Sequence, residues 1–324
     1  MRARIALAAA LCFGCDGGGS APDASAPDAA AIVDGASMGD AGAGGSCHAF
    51  EGPMELGRID DPGLTELSGL AASRRHPGLF YAHNDSGDVA RVYVLDASAS
   101  VVGRIALTGA AHVDYEDIAV GPGPDGEPWV HVGDVGDNAA RDGRGTPRET
   151  IAVYRFPEPD DPPRGDLEVG VDTLTLRYPE TAHDCEALAV EADGSLLLLT
   201  KEDVGPSVLF RASPSSPDLL EALTTLDVGG PDVPGSRNVT AMDLSPGGAL
   251  LVRSYNRVHL FPREEGERWA DALGRPPVPV PARMERQGEA IAWRADGRAY
   301  ITASEGDGAP VYLYEATTPG CVAP

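Results

Sequence analysis

The chain has 324 residues, and its 50 acidic side chains against 25 lysines and arginines give a formal net charge of −25 at pH 7. A surface this acidic repels nucleic acid and anionic lipid headgroups, so neither is expected as a partner. Beyond the first 15 residues, no apolar stretch approaches the ~20 residues that a membrane-spanning helix needs.

Residues 1–15 predict export from the cytoplasm. A basic start, MRAR, precedes the apolar run IALAAALCF, and Gly14-Cys15 follows. This segment is too short for a membrane span. It resembles a bacterial lipoprotein signal in which Cys15 would carry the lipid, although Cys12 and Phe13 depart from the usual residues. We expect an extracytoplasmic monomer that is anchored to the cell envelope only through Cys15, with cleavage and secretion as the alternative.

Residues 16–46 predict a flexible tether, because they consist of small residues, Pro and five Asp with no aromatic side chain to build a core. The remaining segment, 47–324, is long enough for one large β domain. Cys47 and Cys321 lie near its two ends and are expected to form a disulfide in an oxidising compartment. Cys185 is expected to be a free, buried, small apolar residue.

Five similar segments predict the repeat of a β-propeller. Their strands start at Ser68, Glu116, Glu186, Thr240 and Glu289, which are 48 to 70 residues apart. A turn dipeptide follows each start, and two or three further strand-like runs complete each unit. Four antiparallel strands per unit of about 50 residues are typical of a propeller blade. We therefore predict an all-β, five-bladed propeller.

The ends of the repeat predict how the ring closes. The last unit is one strand short, and the N-terminal segment 54–71 echoes 101–119, so an N-terminal strand should complete the last blade. Six blades are the alternative, but they require splitting the 70-residue unit, whose excess lies in segments 138–149 and 159–166. Helical signal is limited to 217–223 and 266–273.

The strand starts also predict a metal site. The first strand of each blade lines the central channel, so Ser68, Glu116, Glu186, Thr240 and Glu289 should form a ring. Converging carboxylates repel one another unless they take up protons or share a cation. Oxygen ligands alone favour a hard ion, and a roomy ring suits Ca²⁺ better than Mg²⁺. The alternative is that these glutamates only accept backbone N–H groups.

The order hydroxyl, Glu, Glu, hydroxyl, Glu resembles the calcium-activated nucleotidases (apyrases), as do TELSGLAAS and LFYAHNDSGDVARVYVLD in the first blade. That resemblance implies a five-bladed propeller with Ca²⁺ in its tunnel, and nucleotidase chemistry. The later active-site stretches of that family are not evident in the chain. The motifs HNDSG and GDVGDN are also similar to those of uncharacterised secreted bacterial propellers.

A second set of polar residues should surround the same mouth, because the second strand of each blade ends where the first begins. Predicted ligand-binding residues are His83, Asn84, Asp134, Asp137, Asn138 and Glu305. Predicted catalytic residues are Asp85, Lys201 and Arg253. Lys201 is the only lysine in the chain, and with Arg253 it suggests a subsite for a small anion. The alternatives are that the Asp and Asn residues only form turns, and that the lone lysine is chance.

His112 and His183 precede two of the ring glutamates and could act as bases or support other site residues. Satisfied loop histidines are the alternative. The sequence lacks a Ser-His-Asp order, a Gly-rich phosphate loop and a zinc-binding spacing.

Two functions follow from these residues. The first is Ca²⁺-dependent hydrolysis of a phosphoester or phosphoanhydride, with Asp85 orienting water. The second is a non-catalytic propeller of the cell envelope that binds a glycan or protein at its mouth. Hydrolysis of a sugar lactone is a third and more distant alternative.

Overall fold

The computed structural model describes residues 47–59, 61–229, 233–319 and 321. The predicted signal segment 1–15, the lipid-bearing Cys15 and the predicted tether 16–46 lie outside these residues. No helix within the described part is long and apolar enough to cross a membrane.

In chain order the strands are β1 (Phe50–Arg58), β2 (Leu67–Ala72), β3 (Phe80–Asn84), β4 (Arg91–Leu95), β5 (Val101–Thr108), β6 (Tyr115–Pro122), β7 (Pro128–Asp134), β8 (Ile151–Pro157), β9 (Gly165–Gly170), β10 (Asp172–Leu176), β11 (Cys185–Val190), β12 (Leu196–Thr200), β13 (Ser207–Ser213), β14 (Ser216–Leu226), β15 (Val239–Leu244), β16 (Leu250–Ser254), β17 (Arg257–Phe261), β18 (Val278–Pro279), β19 (Gly288–Trp293), β20 (Ala299–Ser304) and β21 (Pro310–Ala316). The two helices are α1 (Asn138–Asp142) and α2 (Trp269–Leu273).

These strands form five sheets, which confirms the five-bladed propeller and excludes the six-bladed alternative for the described chain. The sheets are β2-β3-β4-β5-β9, β6-β7-β8-β10, β11-β12-β13-β14, β15-β16-β17-β18 and β19-β20-β21-β1. In the long second unit, the predicted excess contains α1 and the first residues of β9. Strand β9 adds to the first blade by pairing in parallel with β5.

The ring closes as predicted, because the N-terminal strand β1 pairs antiparallel with β21 of the last blade. The buried disulfide between Cys47 and Cys321 joins the two ends, with the Cα atoms 5.2 Å apart. Cys185 is free and buried. Burial raises the pKa of its thiol, so it behaves as an apolar side chain rather than as a nucleophile.

Sequence patterns explain the inner hairpins. Strands β11 and β12 are almost wholly apolar, CEALAV and LLLLT, and every residue in them is buried because a neighbouring blade covers each face. The predicted turn dipeptides each end in a glycine of positive φ, which L-residues rarely adopt. These glycines are Gly78, Gly126, Gly194, Gly248 and Gly297.

One local expectation was wrong. The segment 217–223, which resembled a helix, lies in the outer strand β14. There Phe210 and Arg211 of β13 pair with Ala222 and Glu221, so the sheet supplies backbone partners that a short helix would have to supply for itself. The second expected helix, 266–273, contains α2.

The hydrophobic core lies between blades rather than within one layer. Between the fourth and fifth blades, for example, Trp293, Tyr300 and Tyr314 are buried, and the two tyrosine rings stack with centroids 4.7 Å apart. Packing of this kind at each junction fixes the inner strands around the channel. It thereby sets the relative positions of residues at their ends.

Candidate functional site

The functional site candidate is a cluster of carboxylates at the mouth where the inner strands begin. Asp85 follows β3, while Asp114 and Glu116 lie at the start of β6. The carboxylate oxygens of these three residues lie within 4.8 Å of one another. Glu116 also belongs to a second such group with Asp184 and Glu186, at the start of β11. We call the first group the outer triad and the second the inner triad.

A repeated Asp-x-Glu sequence builds both triads. Residues two apart on an extended chain point to the same side, so Asp114 joins Glu116 and Asp184 joins Glu186. Gly136 makes room for this crowding. A Cβ at that position would lie 2.2 Å from Glu116 Oε1 and 2.6 Å from Asp114 Oδ2.

Cations already neutralise part of the inner triad. Lys201 Nζ lies 2.8 Å from Glu186 Oε1, and its ammonium sits 4.8 Å from the centre of the Tyr255 ring. Arg141 lies 2.7 Å from Asp184 Oδ2 and 3.5 Å from Glu186. Asp85, Asp114 and Glu116 have no Lys or Arg of the described chain within 4.0 Å. The outer triad is therefore the part of the cluster that still needs a counter-charge.

Burial and mutual repulsion raise the pKa values of these acids. Burial is the main cause for Asp85, whose pKa is raised to about 7 with further contributions from Asp114 and Glu186. Burial likewise raises the pKa of Glu116 well above its usual range, and that of Glu289 to about 8. In the absence of a cation, the cluster consequently retains protons near neutral pH. A metal that binds there must displace them.

The predicted ring is only partly assembled around these triads. Glu116 and Glu186 come together, but the hydroxyl groups tie neighbouring blades to each other. Ser68 Oγ donates to the Glu116 carbonyl at 2.7 Å, and Thr240 Oγ1 donates to the Gly288 carbonyl at 2.8 Å. Glu289 is buried, and its Oε2 has no hydrogen-bond partner among the described residues.

His83 and Asn84, predicted as ligand-binding residues, have structural contacts. The buried His83 ring packs edge-on against Tyr115, and its Nδ1 lies 3.0 Å from the Asn84 carbonyl. The Asn84 amide accepts from the Glu66 N–H at 3.0 Å and donates to the Gly63 carbonyl at 2.7 Å. The Asn84 side chain thus holds the loop between β1 and β2, whereas His83 packs within the first two blades.

Asp134, Asp137 and Asn138 position the arginines beside the cluster. Asp134 accepts from Arg148 at 2.8 Å, and Asp137 caps α1 by accepting from the Ala140 N–H at 3.1 Å. Asn138 accepts from Arg141. These polar side chains thus support the site through other residues.

Lys201 and Arg253, which were predicted to form an anion subsite, are each already paired with a glutamate. Arg253 is 2% exposed, forms an ion pair with Glu285 and donates to the Ala290 carbonyl at 2.7 Å. Lys201 is held by Glu186. Glu305 is half-buried and accepts from Gln287 Nε2 at 2.6 Å.

The two histidines near the ring have aromatic and polar neighbours of their own. His112 packs 4.2 Å from the Tyr115 ring, and its Nε2 lies 3.3 Å from the Asn84 carbonyl. His183 packs against Tyr178 and Phe210. These contacts match the interpretation of satisfied loop histidines.

Asp114, Asp184 and Arg141 are site residues that our sequence reasoning missed. The two aspartates had a visible signal, since Asp-x-Glu occurs as DYE and DCE at the starts of two inner strands. Arg141 had none, because it lies in the loop helix α1.

Farther along the channel, Asp117 links three blades. Its Oδ1 accepts from the Ile118 N–H at 2.9 Å, and its Oδ2 accepts from Leu188 at 2.8 Å and Met242 at 3.2 Å. These bonds connect β6 to β11 and β15. These inner strands belong to different sheets and do not pair with one another, so the Asp117 carboxylate supplies a direct hydrogen-bonded link between the blades.

Comparisons with known proteins add little about chemistry. No protein-family model matches the chain, and no curated protein matches it. Among solved structures, the PQQ-bound aldose sugar dehydrogenase of Streptomyces coelicolor is 12% identical with a TM-score of 0.46, covering 82% of this chain and 98% of its own. A gluconolactonase of Xanthomonas campestris is 16% identical with a TM-score of 0.43, covering 81% and 89%. Likenesses this distant carry no argument about activity.

Without metal, the protein should lose stability as the pH rises. Asp85 and Glu289 bind a proton more tightly in the folded than in the unfolded chain. Their stabilising contribution is therefore complete below about pH 4, the range of unperturbed carboxyls. It is lost as pH rises through about 7 for Asp85 and about 8 for Glu289.

Melting temperatures measured in chelator between pH 5 and pH 8.5 test this prediction. Asp85→Asn and Glu289→Gln should each flatten the decline. Glu149→Gln, a change of an exposed acid on the same face, should keep the wild-type slope. Identical slopes in all four proteins would contradict the assignment of the decline to the mouth carboxyls.

Proposed function

We propose that this protein is an extracytoplasmic Ca²⁺-binding propeller that hydrolyses phosphoesters or phosphoanhydrides at its mouth. The observation that carries the proposal is the outer triad. Asp85, Asp114 and Glu116 offer carboxylate oxygens within 4.8 Å of one another and have no neighbouring cation among the described residues. The disulfide between Cys47 and Cys321 indicates an oxidising compartment, and anchoring through a lipid on Cys15 remains part of the proposal.

The donor chemistry of the outer triad fits Ca²⁺. All its ligand atoms are oxygens, and Asp85 Oδ1 is buried without a hydrogen-bond partner among the described residues. A hard, flexible cation with room for additional water ligands suits such a group. When bound, Ca²⁺ would supply the positive charge that polarises a phosphoryl oxygen.

The chain's own residues would bind and orient the reactants. Asp85 is half-buried at the rim, and in this proposal it would orient a water for attack. The Lys201 ammonium, fixed by Glu186 and the Tyr255 ring, provides positive charge near the triad for the substrate phosphate. Arg141 forms ion pairs with Asp184 and Glu186, so it holds these two carboxylates in place and favours their charged forms.

One observation favours the non-catalytic alternative, in which the mouth binds a glycan or protein. Both cations predicted for phosphate binding are already ion-paired, Lys201 with Glu186 and Arg253 with Glu285. A mouth that is acidic and offers few free cations is better suited to a Ca²⁺-bridged hydroxyl ligand than to a polyphosphate. The metal is common to both functions, whereas turnover distinguishes them.

Calcium should raise the melting temperature of the full chain. A ligand that binds only the folded state stabilises it by about 2.7 kcal/mol at a free concentration 100 times Kd. Glu116→Gln should remove most of the shift, because Glu116 belongs to both triads, whereas Glu149→Gln should preserve it. If Ca²⁺, Mg²⁺ and Mn²⁺ leave the melting temperature unchanged, the triads are not a metal site.

Turnover is tested with nucleoside di- and triphosphates, simple phosphoesters and a sugar lactone, each with and without Ca²⁺. Asp85→Asn should lower kcat even at saturating Ca²⁺, and Lys201→Ala should raise KM for a phosphorylated substrate. Calcium binding without turnover of any of these compounds would support the binding module instead.

A further inference from the structure

A second cavity lies at the other end of the channel, away from the triads. It has a volume of about 950 Å³ and is lined by Val120, Val190 and Leu244, the residues near the ends of inner strands β6, β11 and β15. Small-molecule sites typically have volumes of about 300–1,000 Å³. We call it the far cavity.

Arg74 brings an incompletely satisfied positive charge to the far cavity. Its Nε lies 3.5 Å from the Val120 carbonyl and its Nη2 lies 3.4 Å from the Leu244 carbonyl, both long for hydrogen bonds. The backbone N–H of Arg74 is anchored on Glu158 at 3.2 Å. No carboxylate of the described residues forms an ion pair with its guanidinium, which has five donors to satisfy.

The other two arginines of the lining are already paired. Arg211 and Arg263 bind the two carboxylate oxygens of Glu191 at 2.9 and 3.0 Å. Arg263 also stacks on Trp269, with its guanidinium carbon 4.1 Å from the ring centre. This arrangement forms a wall of the cavity and leaves Arg74 as the arginine available to a ligand.

Asp243 lies close enough to Arg74 for their charges to interact, but it does not form an ion pair with the Arg74 guanidinium. Burial raises the pKa of Asp243 to about 6, and the nearby charge of Arg74 opposes that rise. The Asp243 carboxylate accepts from the Leu244 N–H at 2.8 Å and the Trp293 N–H at 2.7 Å, so backbone groups take up both of its oxygens.

We infer that the far cavity binds a small carboxylate with an apolar body, its carboxylate held by Arg74. The apolar walls, which include Pro122 and Pro246, suit such a body. The lining also contains Glu191, Asp193, Glu264 and Glu265. These four acids disfavour a dianion such as phosphate. A planar carboxylate matches the guanidinium fork and carries only one charge.

This site is independent of the proposed metal chemistry. The triads lie at the starts of the inner strands, and the far cavity lies at their ends. Between them, the carboxylates of Asp117 and Asp243 accept hydrogen bonds from backbone N–H groups of the inner strands. A ligand at one end therefore contacts none of the residues that hold Ca²⁺ at the other.

Phenylacetate is a suitable probe, with phenylacetamide as its uncharged match and inorganic phosphate as the dianion. Binding to the full chain is measured by ligand-observed NMR in chelator. Arg74→Gln should weaken phenylacetate binding at least about tenfold, as expected for loss of a charge-assisted hydrogen bond. Ala295→Trp, which places a large ring in the lining, should do the same without touching a charge.

Two control variants test whether binding depends on Arg74 in particular and is independent of the triads. Arg75→Gln changes the adjacent arginine, which pairs with Glu127 and Asp160 outside the cavity, and should leave binding unchanged. Glu116→Gln should also leave it unchanged, whatever its effect on Ca²⁺. The inference is overturned if phenylacetate does not bind, if the amide or phosphate binds as well, or if either Arg74→Gln or Ala295→Trp leaves binding intact.

Discussion

Replacing Asp117 with asparagine is expected to lower the free energy of unfolding by about 3 kcal/mol or more. The carboxylate accepts three backbone N–H groups, from Ile118, Leu188 and Met242, and is fully buried. An asparagine has only one acceptor oxygen, so its amide hydrogens must face at least one of these donors. At least one of these buried backbone N–H groups, at the junction of three blades, would then lack a hydrogen-bond acceptor.

Chemical denaturation of the full chain measures this change in unfolding free energy. The matched control is Asp307→Asn, which makes the same replacement at an exposed position and should shift stability by less than about 0.5 kcal/mol. If Asp117→Asn behaves like the control, the bridging carboxylate does not contribute to cohesion between the blades.

Removing the disulfide with Cys47→Ser and Cys321→Ser is expected to cost about 2–5 kcal/mol. The bond closes a loop with a sequence separation of 274 residues, so its loss greatly increases the freedom of the unfolded chain. The pairing of β1 with β21 also holds the ends together. Because the folded ends stay paired without the bond, its loss acts mainly on the unfolded chain, which places the effect in the upper part of the range.

Thermal or denaturant unfolding with and without reductant provides the comparison. Reduced wild-type protein should match the double variant, and reductant should not alter the variant itself, because Cys185 is a free thiol in both. An equal stability of oxidised wild type and double variant would show that strand pairing alone closes the ring.

The two ends of the channel differ in what they can bind. The mouth concentrates carboxylates with one unneutralised triad, whereas the far cavity presents Arg74 over apolar walls. This asymmetry follows from strand direction, because one end receives the starts of all inner strands and the other receives their ends. A cation and a carboxylate can therefore occupy the same propeller without competing.

The sequence by itself determined the architecture, because its signals are local and repeated. Glycines at the inner hairpin turns and apolar strands with fixed offsets specify each blade, and the missing last strand specifies ring closure through β1. The cysteines near the two ends became neighbours for the same reason. Among the secondary-structure elements of the described residues, the helix expected at 217–223 was wrong, since pairing with β13 outweighs a weak local helical preference.

The sequence also indicated which face carries the acids, since strand starts must converge. It did not determine which acids meet. That depends on how far each side chain reaches and on what surrounds it once blades pack. Asp114 and Asp184 joined the triads, whereas the hydroxyls of Ser68 and Thr240 found carbonyls of the next blade.

Only the tertiary structure decided which partners Lys201 and Arg253 have. Lys201 directly follows β12 and reaches Glu186 at the mouth. Arg253 lies within β16, at the register position of Leu199 rather than of Lys201, and is buried against Glu285 and the Ala290 carbonyl. Glu186 belongs to β11, the neighbouring strand of the same blade, whereas Glu285 and Ala290 lie at the start of the next blade, at a separation that no local pattern encodes. A charged side chain in a dry interior goes where a counter-charge and acceptors compensate its lost hydration, and only the folded ring supplies those partners.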